Sequence, residues 1–289
     1  MSGMTLTKGV HGVKVNHKEA FILYTQASKQ GHPVAAFRTA VCYEFGAGTK
    51  RDLYRACQFY CKAAALGDPL AMHKMAKILL DGKLGQQKKW KEGLQWLKRA
   101  AVLADAKHPE ALYDLALCFT EEEGLSIVIP DNQYVLELLK QAAELGYAPS
   151  QHRLAACHEF GLLECKVDSG ESVKYYRLAA EQGYTDSQLA LANWFLVGAP
   201  DANLPQSDLD AFRWAHRAAN AGHIKAQYML GHCYENGIGV TEPDVKEAYE
   251  WYRRSAEQGY RRAMNRLNEL DGKTKNNGMN WRRLLCIGQ

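Results

Sequence analysis

The sequence lacks any run approaching the roughly 18 to 20 consecutive apolar residues that a membrane-spanning helix needs. Its opening, MSGMTLTKGVHG, lacks the apolar stretch of a secretory signal. The expectation is a chain that faces the cytosol. Cysteine is sparse, eight in 289 residues, too few for a disulfide scaffold, so the thiols are read as reduced. Dense basic runs are missing too: 36 basic against 32 acidic residues leaves a net charge of +4, which gives no reason to expect nucleic acid or an anionic lipid surface as a partner. What is present is an ordinary globular composition, 47% hydrophobic and 24% charged, with a mean hydropathy of −0.38.

Self-similarity is the strongest signal. A pair of small residues recurs as Ala27-Ser28, Ala63-Ala64, Ala100-Ala101, Ala142-Ala143, Ala179-Ala180, Ala218-Ala219 and Ser255-Ala256, with first members 36, 37, 42, 37, 39 and 37 residues apart. All but the third are followed by a glycine, at Gly31, Gly67, Gly146, Gly183, Gly222 and Gly259. Each pair ends an amphipathic segment such as 244–260, and the glycine supplies the left-handed cap that stops it. This segment is helix B. The segment before it, helix A, carries a small residue at Ala40, Ala76, Ala116, Ala155, Ala192 and Gly231, each preceded by a larger residue at Thr39, Met75, Leu115, Leu154, Leu191 and Leu230.

Small residues at fixed points let the helix backbones approach closely, while the larger ones fill the gaps between neighbours. Pro33, Pro69, Pro109 and Pro149 fall near the starts of helix A, where a fixed φ and a missing N–H cost nothing. Units of about 38 residues cannot bury a face alone and must stack. The predicted fold is an all-α, right-handed solenoid of stacked helix-turn-helix repeats, about six full repeats plus partial ends. Its boundaries are read as a partial repeat or flexible terminus over 1–18, the solenoid over 19–270, and a basic, flexible tail over 271–289.

Chemistry-bearing residues mostly fall on the same grid. Cys42, Cys118, Cys157 and Cys233 are 76, 39 and 76 residues apart, multiples of the repeat, which places each at one core position of helix A. Neighbouring helices pack about 8–10 Å apart, whereas a disulfide needs Cα atoms within about 4.4–6.8 Å. His152, Cys157, His158 and Cys165 come nearest to a metal set, but no Cys-x2-Cys or His-x3-His pair is present, so no metal site is expected. Cys57 and Cys61 share one face of a helix and suit packing. Gly46-Ala47-Gly48 and Gly237-Ile238-Gly239 join two helices and have no following Lys-Ser/Thr, so they are read as turns within a repeat, not phosphate loops. Glu121, Glu122 and Glu123 have no identifiable acid-base partner. Trp90, Trp96, Trp194, Trp214 and Trp251 lie mainly at helix B core spacing or on turns, which argues against a base-stacking surface. No catalytic, cofactor-binding or metal-binding residue is predicted.

Residues 226–259 meet almost completely the pattern A-x-x-x-L-G-x-x-Y-x-x-G-x-G-V-x-x-D-x-x-x-A-x-x-W-Y-x-x-(S/A)-A-x-x-G. That pattern resembles the Sel-one-like repeat, a relative of the tetratricopeptide repeat. The longer stretches YEFGAGTKRD (43–52), 77–101, 128–151, 206–219 and RRAMNRLNEL (261–270) resemble the repeat region of the fungal chitin-synthase activator family. The resemblance runs from about residue 9 to 270 and implies an adaptor that binds a membrane chitin synthase, activates it and positions it for septum or bud-neck wall synthesis. Residues 9–20 look like the end of a unit whose helix A is absent, leaving the next helix without its partner. Members of that family often end in a prenylation box; Cys286-Ile287-Gly288-Gln289 places the cysteine correctly but has glycine where an aliphatic residue is usual, and Cys286 is carried as the lipidation candidate. Lys273, Lys275, Arg282 and Arg283 would supply a basic second membrane signal.

The inner curve of a helical-hairpin solenoid is lined by helix A, so a partner protein is expected on its non-core positions: Arg38, His73, Lys74, Tyr113, Asp114, His152, Arg153 and Gln188. The longer loop 121–134 adds the apolar Ile127 and Ile129. Two competing readings stand beside the adaptor: a general Sel-one-like scaffold for another client in membrane-protein quality control or signalling, and a thiol- or metal-dependent enzyme.

Overall fold

A computed structural model describes residues 16–120 and 129–276, with side chains as far as residue 272. Fourteen α-helices occupy these residues, and they fall into two compact units, 1–147 and 148–289.

The first unit holds a leading helix, α1 (His17–Lys29), and three hairpins: α2 (Pro33–Phe45) with α3 (Leu53–Ala65), α4 (Pro69–Asp81) with α5 (Trp90–Val102), and α6 (Glu110–Leu117) with α7 (Asn132–Glu144). The second holds α8 (Ala148–Phe160) with α9 (Ser169–Glu181), α10 (Thr185–Val197) with α11 (Asp208–Asn220), and α12 (Ile224–Asn236) with α13 (Val245–Glu257), closed by α14 (Arg261–Asn276). Each unit is therefore a stretch of all-α repeat solenoid, in which every hairpin packs on the next in sequence. The last helix runs through residues 271–276, which the sequence pattern assigned to the tail.

Local chemistry sets the helix limits. Helix B starts on Asp52, Asp131, Asp168, Ser207 and Asp244, whose side-chain oxygens each accept a backbone N–H from the first turn, that of Arg55 at 2.9 Å for example. Pro33 and Pro69 open α2 and α4. The turn inside the first hairpin needs glycine for two reasons. Gly48 has φ +75°, and a Cβ there would lie 2.0 Å from the backbone oxygen of His17 at the start of α1. Gly239 repeats the arrangement against the Asp208 oxygen at the start of α11, at 2.4 Å.

The small position of helix A is the centre of the packing. Ala40, Ala76, Ala116, Ala155 and Ala192 are all fully buried, and Gly231 is buried with the Tyr252 ring where a Cβ would stand, 2.8 Å away. The alanines of the helix B pairs are buried too, from Ala63-Ala64 to Ala218-Ala219. The four helix A cysteines sit two residues past the small position, buried and free as the spacing predicts. Burial pushes the thiols of Cys118 and Cys233 up to about 11 and that of Cys157 to about 12. At the N-terminal end α1 uses Ala20 and Tyr24 to build a cluster with Cys42, so the leading helix packs as a genuine repeat element against α2.

Candidate protein-interaction surface

Three residues before the small position, two before it and one after it, helix A presents side chains at the margin of the core. Most of the residues predicted to meet a partner stand here, and four of them, His73, Lys74, Asp114 and His152, join one hairpin to the next.

In the first unit, Asp114 of α6 takes His73 Nε2 at 2.7 Å and Lys77 Nζ at 3.0 Å, both from α4, 41 and 37 residues earlier. Burial alone would raise the Asp114 carboxyl, but the hydrogen bonds from His73 and Lys77 outweigh it and hold the group below the usual range. Lys74 bonds Glu44 of α2 at 3.0 Å and sits 5.5 Å above the ring of Tyr60. Tyr113 is half-buried, its ring edge-on to Tyr147 at 5.5 Å. Arg38 is half-buried, with its Nε enclosed and unpartnered.

In the second unit, His152 Nδ1 lies 2.9 Å from Ser187 Oγ, and its ring rests against those of Tyr176 and Tyr184 at 5.4 and 5.1 Å. Burial lowers its pKa, which favours the uncharged ring. Arg153 beside it is half-buried. Gln188 corrects the sequence reading. It is buried, at 6% exposure, and its Nε2 donates to the Ala180 carbonyl of α9 at 3.1 Å. Gln227, its counterpart one repeat on, does the same to Ala219, at 3.4 Å. A glutamine at this position adds a side-chain hydrogen bond to a last-turn carbonyl of the preceding helix B that also accepts the N–H of the capping glycine, Gly183 or Gly222, so it ties one hairpin to the next. Ile129 is 86% exposed. Ile127, the acidic run 121–123 and Cys286 lie outside the described residues.

Sequence reasoning missed a recurrent side-chain set. In three hairpins the residue four past the small position is a glutamate, and the residue three before the Ala/Ser pair of helix B is a tyrosine. Tyr60 donates to Glu44 at 2.5 Å, Tyr176 to Glu159 at 2.7 Å and Tyr252 to Glu235 at 2.9 Å. The other three hairpins carry neither partner: Leu80 with Leu97, Thr120 with Leu139 and Leu196 with Ala215. The co-occurrence at a spacing of 16 or 17 residues was the signal available in the sequence. In two of the three sets the next helix A, or α14 in its place, supplies a cation: Lys74 for Glu44, and Arg266 for Glu235, with Arg266 Nε at 2.9 Å. Burial opposes ionisation of Glu235, but the bonds from Arg266 and Tyr252 prevail and lower its pKa.

Helix B carries a second periodic feature. Arg99 lies over Trp96 at 5.0 Å, Arg217 over Trp214 at 4.7 Å and Arg254 over Trp251 at 4.4 Å, each pair three residues apart on one helix face. Each guanidinium covers one face of its indole. Among the described residues no group of three or more His, Cys, Asp or Glu side chains could hold a metal ion. Burial, reinforced by neighbouring Cys61, pushes the Cys57 thiol up, opposite to what a nucleophile needs.

Comparison with known proteins places this architecture. The Sel1 repeat model matches residues 2–32, 33–68, 69–103, 109–147, 148–184, 185–223 and 224–260, and from residue 33 each match contains one of the hairpins described above. Among curated proteins, the chain is 39% identical to Chitin synthase regulatory factor 3 of Schizosaccharomyces pombe over 92% of its length, covering 28% of that protein. It is 44% identical to a chitin synthase regulator of Malassezia restricta over 95% of the chain, covering 18% of that protein, and 39% identical to one of Saccharomyces cerevisiae over 90%, covering 37%. The chain thus spans between about a fifth and two fifths of these relatives. Among solved structures it is similar to a protective antigen of uropathogenic Escherichia coli displaying an SLR fold, with a TM-score of 0.78 and 25% identity over 96% of the chain and 56% of the antigen. It is also similar to a Sel1 repeat protein of Oxalobacter formigenes, with a TM-score of 0.75 and 28% identity over 93% of the chain and 74% of that protein. With seven matches spread over nearly its whole length, the chain belongs to the Sel1 repeat family.

Proposed function

We propose that the chain is a non-enzymatic adaptor that binds a chitin synthase and promotes its activity or localisation in cell-wall and septum synthesis. The observation that carries this reading is the identity of 39–44% to three proteins named as chitin synthase regulators, over 90% or more of the chain. The chemistry of the described residues supports it: thiols pushed up by burial, a half-buried, hydrogen-bonded His152, and carboxylates engaged with tyrosines and cations describe a scaffold. Such an adaptor acts by population shift, so it must bind the active synthase better than the inactive one. A preference of about 2–3 kcal/mol would change activity roughly 30- to 150-fold.

No helix among the described residues is long and apolar enough to cross a membrane. In this reading the chain reaches the cytosolic face of the plasma membrane, at the bud neck or septum, through its partner or through a lipidated Cys286. The candidates for contact are the margins of helix A at Arg38 and Arg153, together with Ile129. A scaffold for a signalling client is the second reading, favoured by 28% identity over 88% of the chain to Activator of C kinase protein 1 of Saccharomyces cerevisiae.

The test is co-expression with chitin synthases, pull-down, and a chitin-synthesis assay on membranes, with the wild-type chain and with Arg38 and Arg153 reversed to Glu. The expected result is binding and activation by the wild type, both lost in the folded double variant. Binding to no synthase would move the function to another client.

A further inference from the structure

The Tyr–Glu–cation set is complete twice and incomplete once. Glu44 has Tyr60 and Lys74, and Glu235 has Tyr252 and Arg266. Glu159 of α8 has Tyr176 at 2.7 Å and no cation: among the described residues no Lys, Arg or His pairs with it. The reason lies in the register. Two residues before the small position of helix A stand Arg38, Lys74, Asp114, Arg153 and Met229, and Arg266 holds the matching place in α14. In α10 that place is Ala190, which is too short to reach a carboxylate. It packs against the cluster that contains Tyr176, beside the Glu159–Tyr176 pair. The protein thus keeps a half-buried carboxylate, oriented by a tyrosine hydroxyl, and leaves out the side chain that neutralises its counterparts. Burial without a counter-charge raises the Glu159 carboxyl, where Glu235 is lowered by its arginine.

We infer that Glu159, beside Ala190, is a receptor for a lysine or arginine side chain of a partner protein, which completes on Glu159 the set that Lys74 and Arg266 complete elsewhere. A partner cation there would meet an acceptor whose geometry is already fixed, which favours a charge-assisted hydrogen bond and sets the register of the partner along helix A. Identifying that partner with a chitin synthase rests on the functional reading above; the receptor itself rests on the register.

The experiment has two arms, both on the full chain. In the first, Ala190→Arg and Ala190→Lys supply the cation internally, and thermal melting is recorded. Both are expected to melt above wild type by about 2 °C or more, with the gain abolished when Glu159→Gln is added. An unchanged or lower melting temperature for both, or a gain that survives E159Q, overturns the inference. In the second arm, detergent-solubilised chitin synthase is titrated with wild type, A190R, E159Q and E159R. The inference expects at least about tenfold weaker binding for all three variants, the cost of leaving one charged partner unpaired, and rescue of E159R by a Lys→Glu or Arg→Glu change in the synthase. Wild-type affinity in A190R and E159Q overturns the inference and leaves the adaptor reading intact. A wild-type chain that binds no synthase overturns the adaptor reading and the synthase as source of the cation, while the melting arm still decides whether Glu159 accepts one.

Discussion

Tyr252 of α13 donates its hydroxyl hydrogen to Glu235 Oε2 of α12 at 2.9 Å, and Arg266 of α14 donates to both oxygens of the same carboxylate. Three consecutive helices are thereby joined through one side chain that is only 11% exposed. The buried charge is tolerated because its lone pairs are filled.

Removing the arginine should expose that dependence. Arg266→Gln leaves a buried carboxylate with a tyrosine alone and is expected to cost about 1–3 kcal/mol. Because Glu235 is lowered in the folded state, its contribution is present above the ordinary carboxylate pKa and is lost as pH falls through the folded value. Chemical denaturation of wild type and R266Q across pH 3–7 should therefore show a gap that narrows toward acid. A constant gap would mean that the arginine acts by packing alone.

Glu159 has the opposite sign. Its folded pKa is raised, so the carboxylate costs stability as pH rises through and above the ordinary range, and the cost disappears in acid. Glu159→Gln keeps an acceptor for Tyr176 and removes the charge; it is expected to be neutral or stabilising at pH 7, and to converge on wild type as the carboxyl protonates. Destabilisation at pH 7 measured by urea unfolding would contradict this.

The small position of helix A admits no bulk. Ala155 and Ala192 are fully buried against helix B, and replacing either with Trp should overpack the hairpin by about 3 kcal/mol, unfolding neighbouring repeats first. Wild-type melting by either variant would refute the register.

Thiol reactivity offers a map of the same core. With Cys118, Cys157 and Cys233 buried and pushed up to about 11–12, a disulfide reagent at pH 8 should leave them unmodified in the native protein and modify them on unfolding. The exposed Cys61 should react first. Peptide mass mapping after brief labelling distinguishes the two groups.

The hairpins were legible in the sequence because each signal is local. A small residue every 36 to 42 positions, a capping glycine and an amphipathic stripe report on one helix and its immediate neighbour, and they located the buried alanines, the cysteine position and the turns at Gly48 and Gly239. The surface was less legible. Gln188 is polar and lies beside the core stripe of α10, so periodicity alone reads it as solvent-facing; its place against the Ala180 carbonyl depends on how α10 meets the end of α9.

Sequence alone thus determined the repeat, its period and the all-α stacking, because backbone propensity and burial periodicity act within one hairpin. Only the tertiary structure decided which polar side chains are spent between hairpins. His73 meets Asp114 across 41 residues and Lys74 meets Glu44 across 30, pairings set by the offset of one hairpin on the next. At one and the same register Lys74 and Arg266 reach Glu44 and Glu235, whereas Glu159 meets Ala190.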